Sequence, residues 1–106
     1  MNSKPVVALA GVSADVQDAY DYFETRVGAT GERFLQRYFA TTDAIALNPW
    51  TYPVKFDDYH RALIPRSSFA IYYFQEPVRS VIVAVVDARR HPGVIRRMVR
   101  TRRADV

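Results

Sequence analysis

The residues of this sequence best equipped for chemistry are arginines, and they crowd one end. Arg89, Arg90, Arg96, Arg97, Arg100, Arg102 and Arg103 share the stretch from 89 to 106 with one aspartate, Asp105, for a local charge of +6. Residues 1–88 hold eight basic and ten acidic side chains, so the formal +4 of the chain belongs to its C-terminal end. Arginine is permanently charged and presents a planar fork of donors. Such an end suits an anionic partner, either nucleic acid or an acidic peptide. It would equally suit a solvated tail that only aids solubility. Arg89 and Arg90 stand apart from the others because they follow a strongly apolar run, Val81 to Val86, whose end would hold them in place. His91, next to them, can exchange a proton near neutral pH.

Other constellations carry less. Asp57-Asp58-Tyr59-His60 puts two carboxylates near an imidazole, but consecutive residues of an extended chain alternate faces, and no second cluster completes a metal site. The absence of cysteine excludes disulfides, thiolate nucleophiles and cysteine-held zinc or iron–sulfur centres. No metal and no other cofactor is expected. The four glycines form no phosphate-cradling loop. Ser67-Ser68 has no His/Asp pattern beside it and reads as a turn. Trp50 and Tyr52, flanked by prolines, either stand exposed at an interface or close the end of the preceding helices. The N-terminal residues lack the apolar run of a signal peptide, and the longest apolar runs are too short to span a bilayer. A cytoplasmic protein without membrane contact is the expectation.

The elements that must position these residues follow from periodicity. Pro5 to Ala10 is a short apolar, partly β-branched run and predicts a strand. Val16, Ala19, Tyr20, Phe23 and Val27 make the stripe of an amphipathic helix, with Ser13 as N-cap, Asp15 and Asp18 in its first turns and Gly28 at its end. Phe34, Leu35, Tyr38, Phe39, Ile45 and Ala46 give a second helix a broad apolar face, with Thr30 as its cap and Asn48-Pro49 as its stop. The short connection makes the two an antiparallel hairpin. After Pro53 the period becomes that of strands: Tyr59 to Ile64, Phe69 to Phe74 and Val81 to Val86, the last two covered on both faces. Beyond Pro92, residues Val94, Ile95, Met98 and Val99 line a short basic helix. The order predicts one α+β domain over residues 1–106, a helical hairpin on a curved antiparallel sheet of three to five strands. Its ordered core spans 5–100, with 101–106 frayed.

That order resembles the ParE/RelE superfamily of bacterial toxins, and the C-terminal half carries the resemblance. Arg61-Ala62-Leu63-Ile64-Pro65-Arg66-Ser67-Ser68-Phe69-Ala70-Ile71-Tyr72-Tyr73 is similar to the family's strand, turn and "IxY" strand. Val81 to Val86 followed by Asp87-Ala88-Arg89-Arg90-His91-Pro92 is similar to its last strand and the "RR-x-P" ending of ParE-like members. The Asn48-Pro49 break also matches.

The resemblance implies a toxin of a type II toxin–antitoxin system, held inactive by an antitoxin with an acidic C-terminal segment and contacting operator DNA only through it. RelE-like members cut messenger RNA on the ribosome without a metal; ParE-like members, where a target is known, bind DNA gyrase and catalyse nothing. Cleavage of that kind needs a proton acceptor, a proton donor and cations over the phosphate oxygens. Arg61 falls at one of the RelE strand positions and Arg89 or Arg90 at the arginine after the last strand. The remaining basic positions are Leu63 and Ala70, and the C-terminal tyrosine is Ile95. The resemblance therefore implies a non-catalytic ParE-like protein. The alternatives are a metal-independent ribonuclease using Arg61, Arg89 and His91, or an inactive antitoxin-binding relative. The surface expected to meet the target or nucleic acid comprises Arg61, Arg66, Arg89, Arg90, Arg96, Arg97 and Arg100.

Overall fold

In the computed structural model, which describes residues 3–105, the two N-terminal helices form a hairpin, but their ends differ from what the capping residues suggest. Strand β1 (Val6–Ala8) leads through Leu9 and Ala10 into helix α1 (Gly11–Tyr22), so Ser13 lies inside the helix and caps nothing. The helix then widens into a π-helical stretch, Phe23–Gly28, and ends on Gly28 and Ala29 with φ of 102° and 52°. Helix α2 (Gly31–Leu47) is not capped by the Thr30 hydroxyl, which donates back to Phe23 O at 3.0 Å. Glu24 takes that role, accepting from Gly31 N–H at 2.9 Å. Gly31 is required by packing: a Cβ there would lie 2.7 Å from carbons of the Tyr20 ring.

The remaining elements are β2 (Val54–Phe56), β3 (Tyr59–Leu63), β4 (Phe69–Gln75), β5 (Ser80–Asp87) and α3 (Pro92–Ala104). The sheet order is β1-β5-β4-β3-β2. It is mixed rather than antiparallel throughout, because β1 pairs parallel with β5 while every other pairing is antiparallel. The chain crosses one face as the helical hairpin, enters the sheet at its far edge with β2, and winds back until β5 meets β1.

Both faces of the sheet are covered. Val12, Ala19, Phe34, Tyr38 and Ile45 of the hairpin pack on Ala62, Ile71, Tyr73, Ile82 and Val85. Phe23 and Tyr20 are only half-buried at the rim, short of the full burial their stripe predicts. On the opposite face Ile95 and Val99 of α3 cover Tyr72, Phe74, Val83, Ala84 and Val86. A bulge in β5 sorts these residues. The register steps from Tyr72↔Ala84 to Tyr73↔Ile82, and the extra residue Val83 reverses which side chains face which layer.

Helix α3 runs to Ala104, past the point where the chain was expected to fray; Val106, the last of those residues, lies outside the described ones. The reason is one side chain. β1 covers β5 only as far as Ile82, which leaves Val83 C=O and Val85 N–H without a strand neighbour. Val85 N–H donates to Asp15 Oδ2 at 2.9 Å, and Arg102 Nη1 donates to Val83 O at 3.1 Å. Arg102 Nη2 also donates to Asp15 Oδ1 at 2.7 Å. The ion pair thus stands in for the missing strand, with side-chain exposures of only 24% for Arg102 and 11% for Asp15. Asp15→Ala would strand a half-buried cation and a backbone N–H, and urea unfolding should show a loss of about 2–3 kcal/mol. Adding Arg102→Met should restore part of that loss. A loss under about 1 kcal/mol would mean that the pair is worth no more than a surface salt bridge.

Candidate functional site

Three of the C-terminal arginines fasten α3 to the molecule. Arg102 is bound as described. Arg100 forks onto Asp57 (Nε–Oδ2 2.9 Å, Nη2–Oδ1 3.0 Å), and Arg103 Nη1 donates to Asp58 at 2.7 Å. Asp57 and Asp58 form the turn between β2 and β3, where Asp57 adopts a left-handed φ of 49°. The hydrogen bond from Arg100 holds the Asp57 carboxyl below the ordinary carboxylate range. The Arg103 guanidinium also lies 3.7 Å from the centre of the Phe74 ring, a close cation–π contact. The two carboxylates therefore face α3, while His60 is buried on the other side of the sheet, its ring stacked 4.7 Å from that of Tyr73. Among the described residues no group of three or more His, Asp or Glu side chains could hold a metal ion.

Arg61, Arg89 and His91 do not converge. Arg89 grips Asp87 through Nε (3.1 Å) and Nη2 (2.8 Å), with Tyr22 of α1 beside it, which places it toward the helical hairpin. His91 is exposed and serves as the N-cap of α3, its Nδ1 accepting from Gly93 N–H at 3.0 Å. Arg61 lies on the α3 side of the sheet. There it lines a cavity of about 50 Å³ together with Lys55, Arg90, Arg96 and Tyr72.

None of those four cations is paired within the described residues, where the arginine ion pairs are those of Arg79, Arg89, Arg100, Arg102 and Arg103. Arg96 is held 5.7 Å above the Phe56 ring. Arg61 stands opposite Tyr72 in the β3–β4 ladder, and Leu63 stands opposite Ala70 one step further along the same face. Ala70 is fully buried and Leu63 is half exposed, so the cavity's flank on that side is apolar. Ile95 lines the cavity too. Arg66 occupies the exposed β3–β4 turn with a left-handed φ of 58°, and Arg97 is exposed on α3.

A second surface runs along the opposite edge. Strand β1 leaves one side of the sheet unpaired. Beside it lies a trough of about 630 Å³ between β1, α1 and α2, lined by Leu9, Val16, Leu35 and Phe39 among others. The trough continues past Val7 and Ala46. Phe39 is 58% exposed there. Trp50 is likewise exposed at the far end of α2, with its ring edge toward His60. No helix is long and apolar enough to cross a membrane among the described residues.

No protein-family model matches the sequence, and no curated protein matches it. Among solved structures, a chain of the chromosomal ParDE TA system from P. aeruginosa has a similar fold. The two are 11% identical with a TM-score of 0.70, covering 79% of this chain and 95% of that one. The chain thus shares the α+β fold of that chain, a helical hairpin on a five-stranded sheet with a C-terminal helix.

The Arg89 fork explains a shifted carboxyl. Hydrogen bonds from Arg89 hold Asp87 down at about 2, against an ordinary 3.8. A depressed carboxyl stabilises the fold above its unfolded pKa, and this contribution fades as pH falls from about 4 through about 2. In Arg89→Ala, NMR titration of Asp87 should show the carboxyl returning toward 3.8. An unmoved titration would mean that the backbone N–H of residue 89 and the Ser68 hydroxyl, not the guanidinium, hold it down.

Proposed function

We propose that this protein is the toxin of a toxin–antitoxin pair, of the ParE-like, non-catalytic kind. It arrests growth by binding a target through the α3 side of its sheet, and an antitoxin neutralises it from the β1 edge. The observation that carries this reading is an unpaired strand edge beside a long apolar trough, on a fold shared with a chain of a ParDE system. An extended segment can pair with such an edge through its backbone while its side chains fill the neighbouring apolar groove. Both proteins would act in the cytoplasm, with DNA gyrase as the target that the resemblance suggests.

The non-catalytic half of the reading rests on the cavity beside Arg61. In-line attack on a phosphodiester needs a base at the attacking hydroxyl and an acid at the leaving oxygen. By the resemblance, Leu63, Ala70 and Ile95 fall where such groups would stand; Arg89 is tied to Asp87, and the Nδ1 of His91 is engaged in a cap. Losing even one preorganised donor from a site of this type costs about a hundredfold to a thousandfold in rate.

Expression of the chain alone in a bacterial host should arrest growth, and co-expression of the short acidic protein expected beside its gene should restore it. Phe39→Glu, an exposed change in the trough, should abolish that rescue while leaving the arrest intact. Messenger RNA on translating ribosomes should stay uncut throughout. Unimpaired growth on expression of the chain alone would refute the toxin reading. Ribosome-dependent cleavage that vanishes in Arg61→Ala would replace it with a ribonuclease.

A further inference from the structure

Among the described residues, Gln75 Oε1 and Ser80 Oγ are buried and find no hydrogen-bond partner. The two residues stand opposite each other in the β4–β5 ladder, so their side chains share a face of the sheet. On the same face lies His60, 3% exposed. Its tautomer follows from its partners. Nδ1 lies 2.7 Å from Tyr52 O, and a carbonyl only accepts, so Nδ1 carries the proton. In the neutral ring Nε2 is then a bare acceptor, and the Gln75 amide donates to it at 3.1 Å. That orientation turns Oε1 away from any donor.

We infer that His60 and Gln75 form a proton-operated clamp on the loop between α2 and β2: when His60 takes a second proton the Gln75 amide turns over, and the loop carrying Trp50 is gripped more firmly. With both ring nitrogens protonated, Nε2–H would face an NH2 group, donor against donor. Half a turn of the amide brings Oε1 to Nε2–H and sends the NH2 group toward the Ser80 hydroxyl, which accepts. Both atoms left unpaired in the neutral form thereby gain partners. Burial opposes the charge. Against it stand an acceptor at each ring nitrogen and the face of the Tyr73 ring, stacked 4.7 Å away and 10° from parallel. A hydrogen bond from an ionised donor is about twice as strong as one from a neutral donor, so the Tyr52 carbonyl is held harder. The Tyr73 hydroxyl ties the same loop at Pro49 O (2.8 Å), and Arg61 N–H ties it at Pro53 O (3.0 Å). Between these ties Trp50 is 64% exposed, its ring nearly perpendicular to that of His60 at 5.4 Å.

Few other ionisable groups face this point. Tyr52 flanks it from the loop, Tyr73 from β4, and Tyr38 is the ionisable residue among those that α2 buries. Burial pushes the Tyr73 and Tyr38 phenols up, away from the histidine range. Lys55 and Arg61, on β2 and β3, line the cavity on the α3 side of the sheet. Past Gln75, the Glu76 carboxylate is paired with Arg79, and Lys4 Nζ donates to the Glu76 carbonyl.

Trp50 is the sole tryptophan, so its fluorescence reports this site in the full chain. Lowering the pH through the histidine range, about 8 to 5, should quench it in one step as the neighbouring imidazole becomes charged. NMR of the same titration should show His60 Nε2 gaining its proton and the Gln75 NH2 signals moving with the same midpoint. Backbone order parameters of Thr51 and Tyr52 should be higher below that midpoint than above it. Gln75→Glu, which offers Nε2–H a charged acceptor, should raise the midpoint by about one pH unit or more. Gln75→Leu, which offers none, should lower it or remove the step. Circular dichroism establishes that each variant is folded before its midpoint is read. His91 is exposed at the start of α3, and His91→Asn should leave the fluorescence step in place. Equal midpoints in Gln75→Glu and Gln75→Leu would overturn the clamp, as would a step lost in His91→Asn. Gln75 signals or loop order parameters that stay fixed while His60 titrates, or a His60 that stays neutral until the fold is lost, would overturn it too.

Discussion

The Asp15 carboxylate accepts from Val85 N–H and from both terminal nitrogens of Arg102, joining the helical hairpin, the central strand and the C-terminal helix at one point. A strand interior cannot tolerate an unpaired N–H and C=O, and β1 is too short to satisfy β5 beyond Ile82. Something must complete the ladder, and an acid from the first helix with a base from the last does so. The position of α3 follows from this. With Arg102 anchored at the end of β5, Ile95 and Val99 fall over the apolar face of β4 and β5, and the Asp57–Asp58 turn comes within reach of Arg100 and Arg103.

The same arrangement divides the basic C-terminal end into two populations. Arg89, Arg100, Arg102 and Arg103 have carboxylate partners within the chain and act as fasteners. Arg90 and Arg96 join Lys55 and Arg61 around a small cavity, and Arg97 faces solvent. A conspicuous run of charge in the sequence thus becomes, in three dimensions, a structural brace and a compact cluster of unpaired cations. On the far edge of the sheet the open β1 edge and its trough are apolar, so the two surfaces differ in chemistry and lie at separate places.

Helices, central strands and their order were legible because each rests on local pattern: the stripe of Val16, Ala19 and Phe23, the break at Pro49, the unbroken runs of β4 and β5. What local pattern misses is any choice made by a distant partner. Ser13 and Thr30 are good caps by composition, yet α1 begins earlier to follow β1, and Glu24 reaches across from the π-helical stretch to α2. Asp15 looked like a favourable first-turn acid and is instead the partner of a residue 87 positions away. The parallel placement of β1 depends on where β5 ends, which no window of sequence contains. For the site, Arg61, Arg90 and Arg96 could be singled out by charge. Lys55 was hidden because the short β2 follows a Pro- and aromatic-rich loop, and Tyr72 because an apolar strand hides a lining residue among packing ones. The carboxylate partners of Arg89 and Arg100 only the fold could supply.

The pairing of β1 with β5 and of Asp15 with Arg102 has a consequence for synthesis. The N-terminal strand and the first helix leave the ribosome with the groups that complete them still unmade. At about 5–20 residues per second, the interval between translating Asp15 and Arg102 is on the order of 5–15 seconds. Arg102 must then clear the exit tunnel before it can reach Asp15. Until that moment the first half of the chain has no finished sheet to rest on, and the β1 edge has no β5 beside it. The fold is therefore completed only after Arg102 has left the ribosome, long after the first helix that it fastens.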